Sequence, residues 1–287
     1  NVQGQIEAEQ LHIEPRPGSA GSAHGLRGAQ LSAQWTAQGG QGQLRIDQGG
    51  WVAWPDLLED SRIEMDQLQI DGRWQWQTGH LSSIEARARV ANSDLQGQVQ
   101  AQWQAVNGGG PGWLDLQGTV SKARAERVYR YLPAHMNANV RHYVQESIRS
   151  GTVSNLQMRI KGDLSRIPMP QARDGEFHFA GQLRGVDMAY VPASLQPAGS
   201  KPWPMLQGIE GQLVFDRQGM RLSGANARLG EAPQAVQVQV LKAEIPDLAH
   251  DARLDLQAEL KGPAQHILRV LQQSPVEQML SGALSQT

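Results

Sequence analysis

Residues 97–105 read GQVQAQWQA, and every second side chain is apolar: Val99, Ala101, Trp103 and Ala105 alternate with Gln98, Gln100, Gln102 and Gln104. A period of two puts alternate side chains on opposite faces of an extended chain, so this stretch is a β-strand with one oily face and one amide face. Residues 253–262, RLDLQAELKG, repeat the pattern, with Leu254, Leu256, Ala258 and Leu260 opposing Arg253, Asp255, Gln257, Glu259 and Lys261. Further strands of this kind are predicted at 84–90, 113–120, 156–162, 176–183, 211–215 and 235–240. A central strand of a parallel α/β sheet would be apolar on both faces, so the pattern excludes a doubly wound fold and predicts a mainly antiparallel sheet, polar on one side.

Helical spacing is confined to two regions. Between 121 and 151 it predicts a helical insertion of two helices. Ala125, Val128, Tyr129 and Leu132 form the stripe of the first, with Ser121 as N-cap and Pro133 as stop; Val140, Tyr143, Val144 and Ile148 form the stripe of the second, with Gly151 as its C-terminal cap. Near the end, Pro263 starts a helix with Ile267, Val270 and Leu271 inward. Residues 1–27 read as a strand plus linker. A triplet of aliphatic residue, Gln or Lys, and Gly recurs at 116–118, 160–162 and 260–262, without the fixed period of a solenoid. Loops are marked at 15–25, 108–112 and 192–202, and none has the composition of a hinge, so the chain reads as one continuous domain over 1–287.

The 287 residues carry a formal net charge of −2, which gives no bulk attraction to nucleic acid or to an anionic membrane. There is no cysteine, hence no disulfide framework and no thiolate metal site. No apolar run approaches the roughly 20 residues of a membrane-spanning helix, and the first ten residues have neither the basic start nor the apolar stretch of a signal peptide. The chain therefore reads as a segment of a longer protein whose targeting and anchoring parts lie elsewhere.

The residues that could carry chemistry do not converge in the sequence. His12, His24, His80, His135, His142, His178, His250 and His266 show no paired-ligand spacing, and His178, between Phe177 and Phe179, points to the polar face. The GGGPG run at 108–112 lacks the Lys and Ser/Thr of a phosphate-binding loop and reads as a turn. Glu59, Asp60, Glu64 and Asp66 read as solvated carboxylates. Lys122, Arg124, Arg127 and Arg130 read as one basic helical face, and Trp54 and Trp203, each before a proline, as strand-entry residues sealing the rim of an apolar sheet. No catalytic residue, metal or cofactor is expected.

The order of several weak motifs gives a resemblance. WPDLLEDSRIEMDQLQIDGRWQW (54–76), YRYLP (129–133), NVRHYVQESIRSG (139–151), RIKGDLSRIP (159–168), GEFHFAG (175–181), KPWP (201–204), GQLVFDRQGM (211–220) and QQSP (272–275) resemble the YhdP family of AsmA-like proteins. The likeness runs from about residue 40 to the end. The chain departs from it in Tyr143 where a Trp is usual, Ile167 before Pro168 where an aromatic is usual, and a longer loop before Trp203. The resemblance implies a segment of a very long periplasmic protein, tethered to the inner membrane by a part not present in this chain. Its elongated, curved, mostly antiparallel sheet would form an open hydrophobic groove for phospholipids between the inner and outer membranes.

On that basis the expected groove lining is Val99, Trp103, Leu156, Met158, Ile160, Phe177, Phe179, Leu213, Phe215, Val236, Val238, Leu254, Leu256 and Leu260. The expected partners are phospholipid acyl chains, adjoining segments of the same long chain, and inner- and outer-membrane proteins, with no nucleic acid. Alternation alone fits a closed β-sandwich equally well, and that alternative implies a structural or interaction module in envelope assembly. Eight tryptophans also keep open a polysaccharide-binding or polysaccharide-hydrolysing β-protein, which would need exposed aromatic platforms and a carboxylate pair.

Overall fold

The computed structural model describes residues 3–14, 24–58, 62–106, 108–134, 136–230, 233–250 and 252–275. Thirteen strands form one sheet in which each strand pairs antiparallel with its neighbours in sequence. They are β1 Gln3–Ile13, β2 Gly25–Thr36, β3 Gly39–Ala53, β4 Ile63–Gln77, β5 His80–Ala91, β6 Leu95–Gln104, β7 Trp113–Arg124, β8 Ile148–Asp163, β9 Gly175–Met188, β10 Leu206–Asp216, β11 Gly219–Leu229, β12 Val236–Ile245 and β13 Asp255–Lys261. β1 and β13 do not pair with each other, so the sheet is open. At about 4.8 Å between neighbours, its twelve gaps span about 58 Å.

Residues directly opposite across an antiparallel pair share a face. Following the pairing gives one row: Ala8, Leu31, Leu44, Ile70, Ala88, Val99, Gly118, Met158, Phe179, Phe215, Met220 and Ile245. Twelve strands thus contribute an apolar residue or glycine at one level without interruption. One residue along each strand, the row is polar from β1 to β10: Glu7, Ser32, Gln43, Asp71, Arg87, Gln100, Gln117, Arg159, His178 and Asp216. Opposite charges face each other directly there, as in Asp71 and Arg87 or Arg73 and Glu85, which supports the register on the solvated side.

The strands are interrupted on one side of this row by bulges. In β2 and β3 the register shifts at Gly28 (φ 74°) and Gly49 (φ 88°), where glycine supplies the left-handed backbone without a Cβ clash. In β12 the shift falls at Val240 (φ 52°), a β-branched residue in a conformation that disfavours it. A bulge bends its strand and increases the local twist. Near or beyond these bends the apolar side chains are packed. Ala29, Ile46, Ile63, Met65 and Leu68 form one buried cluster, and Val186, Ile209, Ala225, Ala227, Val238 and Leu241 join Ala125 in another.

The helical insertion is shorter than its spacing predicted, and both predicted caps are corrected. β7 continues through Ser121, whose hydroxyl donates to the Gln96 carbonyl, and the first helix is a 3₁₀ helix at Ala125–Tyr131. The second, α1, is Ala138–Ser147, capped by the Asn137 side chain; Ile148 already opens β8, and Gly151 lies within that strand at φ 118°. Val140 is exposed rather than inward. The last helix, α2, is Ala264–Gln272, with Ile267, Val270 and Leu271 half-buried and Leu268 exposed.

Other expectations change in detail. Gly118 sits in the middle of β7, so only the triplets ending at Gly162 and Gly262 mark strand ends. β2, β3 and β11 were not singled out as strands, and β4 entered only through a motif; β1 is the strand expected before the 15–25 loop, most of which lies outside the described residues.

Val240 provides a test of the bend in β12. Its side chain is half exposed, so little packing is lost on replacement. Val240→Asn should stabilise the chain by on the order of 1 kcal/mol, because asparagine tolerates positive φ where valine is strained. A denaturant midpoint that is unchanged or lower in the variant would show that the bend carries no such strain.

Candidate functional site

Among the described residues, the middle of the apolar face has no second layer over it. Val99, Trp103, Leu156, Met158, Ile160, Phe177, Phe179, Leu213 and Phe215 all point to it and are all half-buried, whereas the inner face of a closed sandwich would bury them fully. Phe177 and Phe179 lie with ring centroids 5.0 Å apart beside Met158 and Ile160. Leu31, Leu44, Ile70, Ala88, Leu114 and Leu116 belong to the same surface and were not singled out from the sequence. Ala88, Leu114 and Leu116 were legible, since they alternate within predicted strands; Leu31, Leu44 and Ile70 sit among glycines, alanines and shifted registers.

Five of the expected lining residues lie outside this middle surface. Val236 and Val238 are buried, Val238 inside the packed cluster with Ala225, Ala227 and Leu241, so they form core rather than open lining. Leu254 precedes β13, and Leu256 and Leu260 lie on it; all three are exposed, at 52%, 58% and 42%. β13 has a neighbour on one side only among the described residues, which leaves its oily positions uncovered.

One margin of the face is built from tryptophan laid on glycine. The row Gly4, Trp35, Gly40, Trp74, Ile84, Trp103, Leu114 and Gly162 crosses eight strands. The Trp35 ring covers Gly4 and the Trp74 ring covers Gly40 so closely that a Cβ on either glycine would fall 2.4 or 2.5 Å from the indole. Trp103 lies over Gly112 and donates from Nε1 to the Pro111 carbonyl at 2.8 Å, which gives the GGGPG turn its role. The Trp-Pro pairs expected at the rim behave differently: Trp203 precedes β10 and packs edge-on against Tyr190, but Trp54 follows β3 and is exposed.

The opposite margin is closed by the insertion. Ala125 packs in one buried cluster, and Tyr131 packs against the other together with Leu58. A 3₁₀ helix of this length rises about 12 Å at ~2.0 Å per residue, and it bridges the two clusters. Polar contacts fasten it. The Asn92 side chain donates to Tyr131 Oη at 2.9 Å, Tyr131 Oη lies 3.3 Å from the buried Asp94 carboxylate, and Arg130 pairs with Asp94 while donating to the Arg62 carbonyl at 3.0 Å. Leu58 and Pro133 form a β-bridge, and the Ala134 amide donates to the Leu57 carbonyl at 2.9 Å. The basic residues expected on one helical face are therefore divided: Lys122 and Arg124 are on β7, Arg124 pairs with Glu126, and Arg127 and Arg130 turn toward Asp94.

The glutamine-rich face carries two concavities of 740 and 550 Å³, which share Asp71, Arg87, Gln100, Gln117 and Arg159 and together run from β1 to β9. A twisted sheet is saddle-shaped, so each face is concave along a different diagonal, and these hollows are compatible with a trough on the oily face. Arg159 fills part of this surface through a bidentate pair with Asp115, which raises its pKa. His178 lies here, 3.8 Å from the Asp216 carboxylate. Among the described residues no three His, Asp or Glu converge as metal ligands, and no helix is long and apolar enough to cross a membrane. His135, Glu59 and Asp60 lie outside the described residues.

The sequence profile of the YhdP family, described as YhdP protein, matches residues 1–287, and the chain belongs to this family. No curated protein and no solved structure matches it.

The Tyr131 contact sets a pH dependence. Burial, with the nearby Asp94 charge adding to it, raises the hydroxyl to about 12, from 10.0 for an exposed tyrosine. The folded state thus favours the neutral phenol. Its contribution is complete below about pH 10 and is lost as pH rises through about 12. It amounts to on the order of 1 kcal/mol once solvent screening of a partly exposed group is allowed for. Tyr131→Phe should flatten the fall in urea midpoint between pH 9 and 11.5 and reduce, without abolishing, the tyrosinate absorbance step near pH 12, which Tyr190, also raised to about 12 by burial, shares. A step of unaltered amplitude would show that Tyr131 is not one of the late-ionising phenols.

Proposed function

We propose that this chain is a non-enzymatic segment of a conduit that carries phospholipids between the inner and outer membranes of the bacterial envelope, with the acyl chains lying on the apolar face. The observation that carries this reading is the uncovered row of apolar side chains across β1–β12. Moving a phospholipid through water exposes its tails at about 0.8 kcal/mol per CH₂, so two long tails meet a barrier well above about 10 kcal/mol. A surface that is oily at every strand spacing removes that barrier step by step and holds no deep minimum. The headgroup stays in water at the open side, so recognition needs no polar pocket.

Membership of the YhdP family supports an envelope role. The adjoining partners on this reading are neighbouring segments of the same long chain, continuing the sheet beyond β13, with inner- and outer-membrane proteins at the far ends. A closed interaction module is less well supported, because Phe179, Met158 and their neighbours are half-buried under no second sheet.

Native mass spectrometry and lipid extraction of the purified chain should find phospholipid bound, and the delipidated chain should take up labelled phospholipid. Phe179→Glu or Leu256→Glu places a carboxylate on the lipid path at about 2.5–3.5 kcal/mol, a roughly hundredfold loss of affinity. Both positions have solvent access, so the circular dichroism spectrum should be retained. Either variant, built into the full-length protein, should fail to complement a deletion strain. A lipid-free chain that refuses labelled phospholipid would sink the reading, and complementation by the charged variants would remove those two residues from the route.

A further inference from the structure

The insertion between β7 and β8 lies on the oily face, which a connection between adjacent antiparallel strands does not require. Two residues suffice to join such strands, yet here the chain crosses from the cluster around Ala125 to the cluster around Tyr131 before returning. The level of the sheet under this crossing is packed: Ala29 and Ile46 are 0% exposed and Leu68 and Val120 are 8% exposed. One level further along the strands, Leu44 and Ile70 are half-buried against the edge of this cluster, and Leu31, Ala88 and Val99 are half-buried outside it. The insertion therefore sets the width of apolar surface available to a ligand.

Its attachments have a particular character. The contacts that hold it down are Arg130 and Tyr131 on Asp94, Asn92 on Tyr131, Arg130 on the Arg62 carbonyl, and the Leu58–Pro133 bridge with the Ala134 amide on the Leu57 carbonyl. Two polar atoms of the crossing, Glu126 Oε2 and Arg127 Nε, are buried without a hydrogen-bond partner, and both would be hydrated if the segment lifted. The segment is 3₁₀ rather than α-helical, with poorer hydrogen-bond geometry of its own. The next element, α1, is anchored on its far side, since Tyr143 Oη donates to the Tyr190 carbonyl at 3.0 Å and the Ala189 amide to the Ser147 carbonyl at 2.8 Å, and its buried Arg141 holds the end of the crossing by donating to the Ala134 carbonyl at 2.7 Å. The crossing can thus lift about its Ala134 end while α1 holds that end in place.

We propose that Ala125–Ala134 is a strap over one margin of the apolar face, latched through Asp94 and the Leu58–Pro133 bridge, whose release widens the surface open to acyl chains. This rests on the lipid reading above for its ligand, and on the fold alone for its motion. An open strap exposes Ile46, Ile63, Met65 and Leu68, which doubles as the cost that recloses it when no lipid is present.

The chain has no cysteine, so Leu58→Cys with Pro133→Cys gives a single introduced pair at bridge partners, whose Cα separation suits a disulfide. Oxidised, this variant should take up at least twofold fewer labelled phospholipids than after reduction. Hydrogen exchange supplies a readout independent of lipid. Amides 126–134, apart from Pro133, should exchange at least tenfold faster than those of Ile46 and Leu241 in the wild type; Asp94→Asn should speed them a further tenfold, and oxidation of the pair should slow them. Equal lipid loading of oxidised and reduced protein would overturn the strap. So would exchange of 126–134 at the rate of the strand cores in both wild type and Asp94→Asn. If the reduced protein and the wild type both take up no lipid, the lipid reading fails instead, and the strap stands or falls on exchange alone.

Discussion

A strand shifted by one residue against its neighbour turns every oily side chain to the glutamine face, and nothing in a sheet repairs such a slip further along. The row from Ala8 to Ile245 exists because eleven successive pairings keep the same parity. Two- or three-residue connections at four of the twelve pairings help to hold it, as at Gln77–His80 and Asp216–Gly219, where the hairpin leaves no slack. On the polar side, directly opposed charges such as Arg73 and Glu85 make a slipped register place unlike partners out of reach. The glutamines between them are neutral donors and acceptors and tolerate either neighbour. Charge pairs therefore specify position while amides fill the remainder.

Parity also explains where the packed core sits. A single curved sheet has only one oily face, and if that face stays open the fold lacks a buried interior. The bulges resolve this by bending the strands on one side, so that Ile46, Ile209, Leu241 and their neighbours pack with the insertion while the level with Val99 and Phe179 stays uncovered. Packed core and open apolar surface occupy different lengths of the same strands. At the far margin, tryptophan on glycine covers backbone that would otherwise meet water at a level too narrow for a second layer.

The fold was legible in the sequence where alternation used large side chains, as in β6 and β13, and faded where it used small ones. β2 alternates Ala29, Leu31, Ala33 and Trp35, and β3 is diluted by five glycines, of which Gly40 lies under the Trp74 ring of the next strand. Tryptophan over glycine is a cross-strand relation, invisible before pairing is known. The first insertion helix was misplaced because spacings of three and four fit the 3₁₀ segment too, and Ser121 resembled a cap while serving β7. Val236 and Val238 were indistinguishable from open lining, because position relative to a bulge, not residue type, decided their burial.

The two faces also answer a difficulty raised by an extended open sheet. An oily face of this size on a free protein invites association with other copies, and the edge at β13, unpaired among the described residues, invites strand addition. Both hazards point in one direction here. The exposed Leu254, Leu256 and Leu260 lie at the edge, where the oily surface and the free backbone meet, so a strand that pairs with β13 also extends the row of apolar side chains. Covering the edge with an unrelated element would end the surface; continuing the sheet preserves it. The same geometry that makes β13 adhesive in isolation means that an added strand continues the apolar surface only if it keeps parity with Leu256 and Leu260.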